Sequence, residues 1–119
     1  MLTIFFSVTI KPECEAAFLE LAERLTKTTH AEDKGCIAYT FFRQTDDALK
    51  VTLFEQWADG ESLSAHIGRL TGMLGPPDDD PDLPENHVRR RLPKAFMDLF
   101  ADSEVTRYTP LFDGASHAT

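Results

Sequence analysis

The stretch Gly35-Cys36-Ile37-Ala38-Tyr39-Thr40-Phe41-Phe42-Arg43, answered by Lys50-Val51-Thr52-Leu53-Phe54-Glu55-Gln56-Trp57, constrains the fold more than any other part of the sequence. Both halves are rich in β-branched and aromatic residues. Between them lies the turn-forming segment Gln44 to Ala48, with Asp46-Asp47 at its tip. That is the composition of an antiparallel hairpin. The hairpin also carries the side chains with the most chemical potential: Tyr39, Arg43, Glu55 and Trp57.

Upstream, Leu2, Ile4, Phe6, Val8 and Ile10 alternate with Thr3, Phe5, Ser7 and Thr9, which predicts a strand over residues 2–10 with one dry face. Lys11-Pro12 ends it, because proline has no N–H to give a ladder but is tolerated in a first helical turn. From Pro12 to His30, Ala17, Phe18, Leu21, Ala22 and Leu25 recur at three and four residues, the stripe of a helix that must cover a sheet.

After the hairpin, Asp59 or Ser62 caps a short second helix carrying Leu63, His66, Ile67 and Leu70, broken from Thr71 onward by Gly72 and Gly75-Pro76-Pro77. Asp78 to Pro84 reads as an acidic, proline-stiffened surface excursion. Val88, Leu92, Phe96, Leu99 and Phe100 predict a third helix from Pro84 or Glu85 to Phe100, kinked or restarted near Leu92 because Pro93 sits inside it, or a helix proper over Pro93 to Phe100 only. A last strand is expected over Ser103 to Phe112, with Pro110 at its edge or end, followed by a frayed tail over 113–119.

Composition excludes several classes. At 119 residues the chain fits one domain, taken as 1–112 with an insertion at 71–92. The net charge of −8, from 20 acidic and 12 basic residues, works against a nucleic-acid surface, and Arg89-Arg90-Arg91 is too short to reverse it. No uncharged apolar run is long enough for a membrane span, and the N-terminus alternates like a strand instead of a signal peptide. A cytoplasmic protein is expected, with Cys14 and Cys36 as free thiols and no metal site. Asp78 to Asp82 lacks the glycine and spaced ligands of an EF-hand loop.

The element order β-α-β-β-α-β, with the second helix interrupted, is the ferredoxin-like split βαβ arrangement: an α+β fold of four antiparallel strands with helices on one face. Phe5 on the first strand, with Ala38, Thr40 and Phe42 on the hairpin, makes the other face apolar as well. A second copy of the chain is the simplest cover for it, which predicts a homodimer with facing sheets.

In this order the sequence resembles the antibiotic biosynthesis monooxygenase (ABM)-like domains of the dimeric α+β-barrel superfamily. The resemblance rests on Lys11-Pro12 before an acidic-faced helix, Glu32-Asp33-Lys34-Gly35-Cys36-Ile37-Ala38-Tyr39, Phe54-Glu55-Gln56-Trp57-Ala58-Asp59, and Leu63-Ser64-Ala65-His66. It covers residues 2–70, with a looser match over Ala95 to Leu111. Within about one helical turn of this Ala-His the family pattern continues to a further His-Phe pair; here Gly68 to Leu92 replaces it. Haem-degrading members also carry an asparagine on the first strand where this chain has Phe5. Both departures argue against haem degradation.

The resemblance implies a pocket between sheet and helices, with Trp57 in its lining; a core anchor with a tied indole N–H is the alternative. His66 lies on the apolar stripe, so it points inward as a general base or as a satisfied core histidine. Glu55 shares the Trp57 face by period two and needs a partner, with Arg43 or Arg107 the available cations, or else a raised pKa. Tyr39 either orients a phenolic substrate or packs with a wet tip, and its sheet face is undetermined. Phe5 and Phe96 complete the expected dry cavity.

The expected function is that of a cofactor-independent monooxygenase acting on a phenolic or quinol-type aromatic small molecule, with His66 and Tyr39 as catalytic residues. No flavin or nucleotide signature is present, since the chain has six glycines and no Gly-x-Gly-x-x-Gly. The alternatives are an isomerase, or a non-catalytic small-molecule-binding or stress-related protein, of the same superfamily.

Overall fold

The computed structural model describes residues 1–112; the tail expected at 113–119 lies outside the described residues. The strands are β1 (Leu2–Ile10), β2 (Cys36–Gln44), β3 (Asp47–Trp57) and β4 (Phe100–Tyr108), and the helices are α1 (Glu15–Glu32), α2 (Gly60–Leu74) and the single turn α3 (Lys94–Met97). The strands form one antiparallel sheet in the order β2-β3-β1-β4. This is the ferredoxin-like α+β arrangement, and the sheet is open, with β2 and β4 as its edges.

One face is built by alternation. Ile4, Phe6, Val8 and Ile10 of β1 and Val51, Leu53, Glu55 and Trp57 of β3 are buried beneath the helices. From above, α1 seals this face with Phe18, Ala22, Leu25 and Thr29, spaced at four, three and four residues. From β2, Tyr39 and Phe41 join the same layer, and their rings meet edge to face at 5.7 Å. A bulge between Cys36 and Ala38 adds one residue to β2, so Ile37 does not share the burial of Tyr39 and is 53% exposed. That settles the face of Tyr39: it looks toward the helices.

Several boundaries differ from the sequence expectation, for physical reasons. The hairpin strands run nearly to the tip, because Gln44 pairs with Asp47 and the Asp47 carboxylate accepts from the Leu49 N–H. α2 is not broken at Gly72; it continues to Leu74 and ends at Gly75, whose φ of +99° is open to glycine at little cost. Its start is capped by Asp59, which accepts the N–H of Ser62 at 2.8 Å.

The third helix expected over 84–100 is largely absent, and the α-helical turn that remains falls within the shorter alternative, Pro93 to Phe100. Only a 3-10 turn at Val88–Arg90 and α3 are helical. Residues 76–94 instead close on themselves, with Pro77 bridging Pro93, Asp78 N–H donating to Arg89 O, and Lys94 N–H donating to Pro76 O. The Arg90 guanidinium donates to the carbonyls of Asp80, Pro81, Leu83 and Pro84, taking up backbone acceptors that a helix would have paired internally. Arg89 binds both Asp78 and Asp98. β4 then begins at Phe100, earlier than expected, and ends at Tyr108, two residues before Pro110. Among the described residues no helix is long and apolar enough to cross a membrane.

Candidate active site

Between the helix-side face of the sheet, α2 and the segment 86–92 lies a cavity of about 350 Å³. Its walls are mainly apolar: Ile4, Phe6 and Leu53 from the sheet, Leu63 and Leu70 from α2, and Phe96 from α3. Val88 and Leu92 close one side, so the segment that replaces the third helix is a wall of this cavity. His66 and Glu55 are the buried titratable groups in its lining. A larger depression of about 450 Å³ crosses the opposite face near Ser7, Phe42 and Thr52, but it contains no histidine and no buried carboxylate. A mainly apolar space with converging polar groups is the better site, despite its smaller volume.

His66 points inward because it sits on the buried stripe of α2 with Leu63 and Leu70. Its Nδ1 lies 2.6 Å from Asp33 Oδ2. An ionised carboxylate only accepts, so Nδ1 carries the proton and donates, which leaves the lone pair of the neutral ring on Nε2. Nε2 is 4.0 Å from Glu55 Oε1. The ring packs against Trp57, at 4.6 Å between centroids, and Tyr39, at 5.2 Å, which also meet each other at 6.5 Å. Burial pushes the His66 imidazole below its ordinary pKa, and the hydrogen bond and charge of Asp33 oppose that shift.

Asp33 is the C-cap residue of α1. An acid there is opposed by the helix dipole, so other groups must hold it. Arg69, one turn after His66 on α2, donates Nε to Oδ1 at 2.7 Å and NH2 to Oδ2 at 2.7 Å, a two-pronged clasp. The same NH2 reaches Thr29 Oγ1 at 3.3 Å. Burial works to raise the Asp33 pKa, but the bonds from Arg69 and His66 outweigh it and hold the carboxyl below its usual range. Next to it, Gly35 turns the chain into β2 at φ +83°, and a Cβ there would stand 2.1 Å from Ser62 Oγ.

Glu55 is buried and accepts the indole N–H of Trp57 at 3.0 Å. Burial pushes its pKa up to about 7, while the Trp57 bond and the charge of Arg107 pull the other way. Arg43, the other expected cation, is turned toward Glu15 at 3.8 Å. Histidine and glutamate are thus adjacent titratable groups in the cavity lining.

Of the residues expected to form the pocket, His66, Glu55 and Phe96 line the cavity. Trp57 and Tyr39 do not: 0% and 2% exposed, they stand behind it, in contact with the His66 ring and, for Trp57, with Glu55. Burial and the nearby Glu55 charge push the Tyr39 phenol well above the usual range, so it cannot serve as a base near neutral pH. Phe5 is on the opposite face, 37% exposed and in ring contact with Phe54 and Tyr108, because period two separates it from Ile4 and Phe6. The sequence reading missed Asp33 and Arg69 as parts of the site. Among the described residues no three His, Cys, Asp or Glu side chains gather closely enough to hold a metal ion.

Residues 1–69 match the family model described as antibiotic biosynthesis monooxygenase. Comparison with curated proteins gives no match. Among solved structures, Rv0793 from Mycobacterium tuberculosis is similar at 17% identity over 96% of this chain and 98% of that one, with a TM-score of 0.67. PA3566 from Pseudomonas aeruginosa is similar at 18% identity over 93% and 94%, with a TM-score of 0.66. A structure named antibiotic biosynthesis monooxygenase is similar at 20% identity over 93% and 99%, with a TM-score of 0.63. At such identities the likeness is one of fold. The family model spans more than half of the 119 residues, and the protein belongs to the antibiotic biosynthesis monooxygenase family.

Proposed function

We propose that the protein is a homodimeric, cofactor-independent monooxygenase that oxidises a phenolic or quinol-type aromatic with molecular oxygen, and that His66 is its base. The observation that carries this reading is the orientation of the imidazole: Nδ1 is held by Asp33 at 2.6 Å, so the basic Nε2 is free toward Glu55 and the cavity. A neutral base with lowered pKa is already deprotonated at neutral pH.

With 1-naphthol as the example, Nε2 takes the hydroxyl proton, and the resulting naphtholate passes one electron to O2. The ring radical and superoxide combine, forming a C–O bond at C4. The peroxide takes up the proton that His66 held. A base then removes the C4 proton, the O–O bond breaks, and the departing hydroxide leaves as water with that proton. One oxygen atom of O2 stays in the quinone and one becomes water. Glu55, with its pKa near 7, is suited to the second proton transfer. Trp57 and Tyr39 hold the imidazole instead of touching substrate, and the apolar walls keep water from the anion.

The dimer reading is supported by the outer sheet face, where Phe5, Phe54 and Tyr108 cluster and Phe42 and Tyr108 are 56% and 54% exposed. The His66–Glu55 pair also suits an isomerase, which needs one group to remove a proton and another to return it. Oxygen uptake with 1-naphthol, measured for the wild type and for His66→Ala, tests the main reading: uptake is expected in the first and a large loss in the second. Product formed equally well under nitrogen would point to the isomerase.

A further inference from the structure

Besides the buried Glu55 and His66, the cavity lining holds two exposed cations: Arg91, from the segment beside Leu92, and Arg107, from β4. Arg89-Arg90-Arg91 look alike in sequence but differ in use. Arg89 is consumed by Asp78 and Asp98, and Arg90 by four backbone carbonyls. Arg91 has no such partner among the described residues and is exposed at the cavity lining.

Arg107 is placed similarly. On β4 it pairs with Ile4, so it shares the helix-side face, yet it is exposed and makes no ion pair among the described residues, its charge reaching Glu55 across the row without contact. In a chain with 20 acidic and 12 basic residues, two arginines without a carboxylate partner at the mouth of an apolar cavity are an unexpected concentration of positive charge. Guanidinium groups are suited to planar, two-point recognition of a carboxylate.

Resting on the oxygenase reading for the orientation of the hydroxyl toward His66, we infer that the substrate is an aromatic hydroxy acid. Its rings fill the apolar cavity, its hydroxyl meets His66, and its carboxylate is bound by the exposed pair Arg91 and Arg107. The site therefore selects among phenols by charge as well as by shape, and the segment 86–92 supplies half of that selection through Arg91.

The test is binding, measured by calorimetry without oxygen so that no turnover intervenes, with 6-hydroxy-2-naphthoate and its methyl ester as probes. The acid is expected to bind the wild type about tenfold more tightly than the ester, the size of one charge-assisted contact at a partly exposed site. The preference is expected to vanish in the folded Arg91→Gln/Arg107→Gln double variant and to persist in Arg24→Gln, a substitution on the exposed side of α1. Equal binding of acid and ester by the wild type, a preference retained in the double variant, or no binding of either probe overturns the inference. Oxygen uptake is scored separately: acid preference without uptake keeps this inference and removes the oxygenase, and uptake without acid preference does the reverse.

Discussion

Asp33 Oδ2 receives the Nδ1 proton of His66 across 2.6 Å, joining the end of α1 to the buried stripe of α2. The contact does two things at once. It selects the tautomer whose free nitrogen faces the cavity, and it packs the two helices over the same end of the sheet.

Asp33→Asn keeps the shape but can present its amide N–H₂ to Nδ1, which favours the wrong tautomer. The expected result is a kcat lowered by about 10²-fold or more with KM little changed, since the substrate does not touch Asp33. Steady-state kinetics checks this; a parallel rise of KM with unchanged kcat would show that Asp33 shapes the cavity and not the base.

Glu55 gives a pH dependence of stability with a definite sign. Its carboxyl titrates at about 7 in the fold against an ordinary 4.5, so folding favours the protonated form. That contribution is complete below about pH 4.5 and is lost as pH rises through 7, a change of about 3 kcal/mol. Burial of neutral His66 acts oppositely, losing stability as pH falls below the ordinary histidine value. Glu55→Gln removes only the first effect. Urea unfolding should find the variant gaining on the wild type between pH 4 and pH 8, whereas a constant difference at all pH would mean that Glu55 has the same pKa folded and unfolded.

Gly35→Ala should destabilise by about 1–3 kcal/mol, from the positive φ and from a Cβ that would meet Ser62 Oγ at 2.1 Å. Ser62 is itself fixed by Asp59, which accepts from both its N–H and its hydroxyl, so it cannot simply swing away. Thermal unfolding reads the effect, and an unchanged midpoint would show that the α1–β2 turn relaxes freely.

The outer face offers a test of assembly. Sedimentation of the wild type is expected to give twice the chain mass of 13.4 kDa, and Phe5→Asp, which places a charge among Phe54 and Tyr108, to give a monomer that still folds. A wild type that is monomeric at micromolar concentration contradicts the pairing of sheets.

What was legible in the sequence was whatever short-range periodicity encodes. The alternation of β1, the stripe Phe18-Ala22-Leu25 and the hairpin all appear where the pattern puts them. Phe5 is instructive: its period-two position points it away from the helices, and the structure follows that pattern, not the pocket role given to it by analogy. The helix expected over 84–100 had apolar residues at helical spacing, but Pro93 and the Arg90 clasp on four carbonyls favour a closed loop, a long-range choice that spacing does not record. Asp33 was invisible for a similar reason, since its partner is 33 residues away. The one local signal was an acid at the C-terminal end of a helix, where the dipole disfavours it and a specific cation must compensate. Trp57 shares a strand face with Glu55, and period two alone does not separate a residue in the wall from one behind it.

The central claim is that this chain brings an aromatic hydroxyl and O2 together with His66 as base and no added redox partner. Its most direct test is turnover of 1-naphthol under ¹⁸O₂ by the purified, chelator-treated protein, with the product analysed by mass spectrometry. The account predicts a quinone carrying one ¹⁸O atom for each O2 consumed, and its formation should fall about 10²-fold or more in His66→Ala. A quinone without the label, or formation that continues unchanged in His66→Ala, would contradict it.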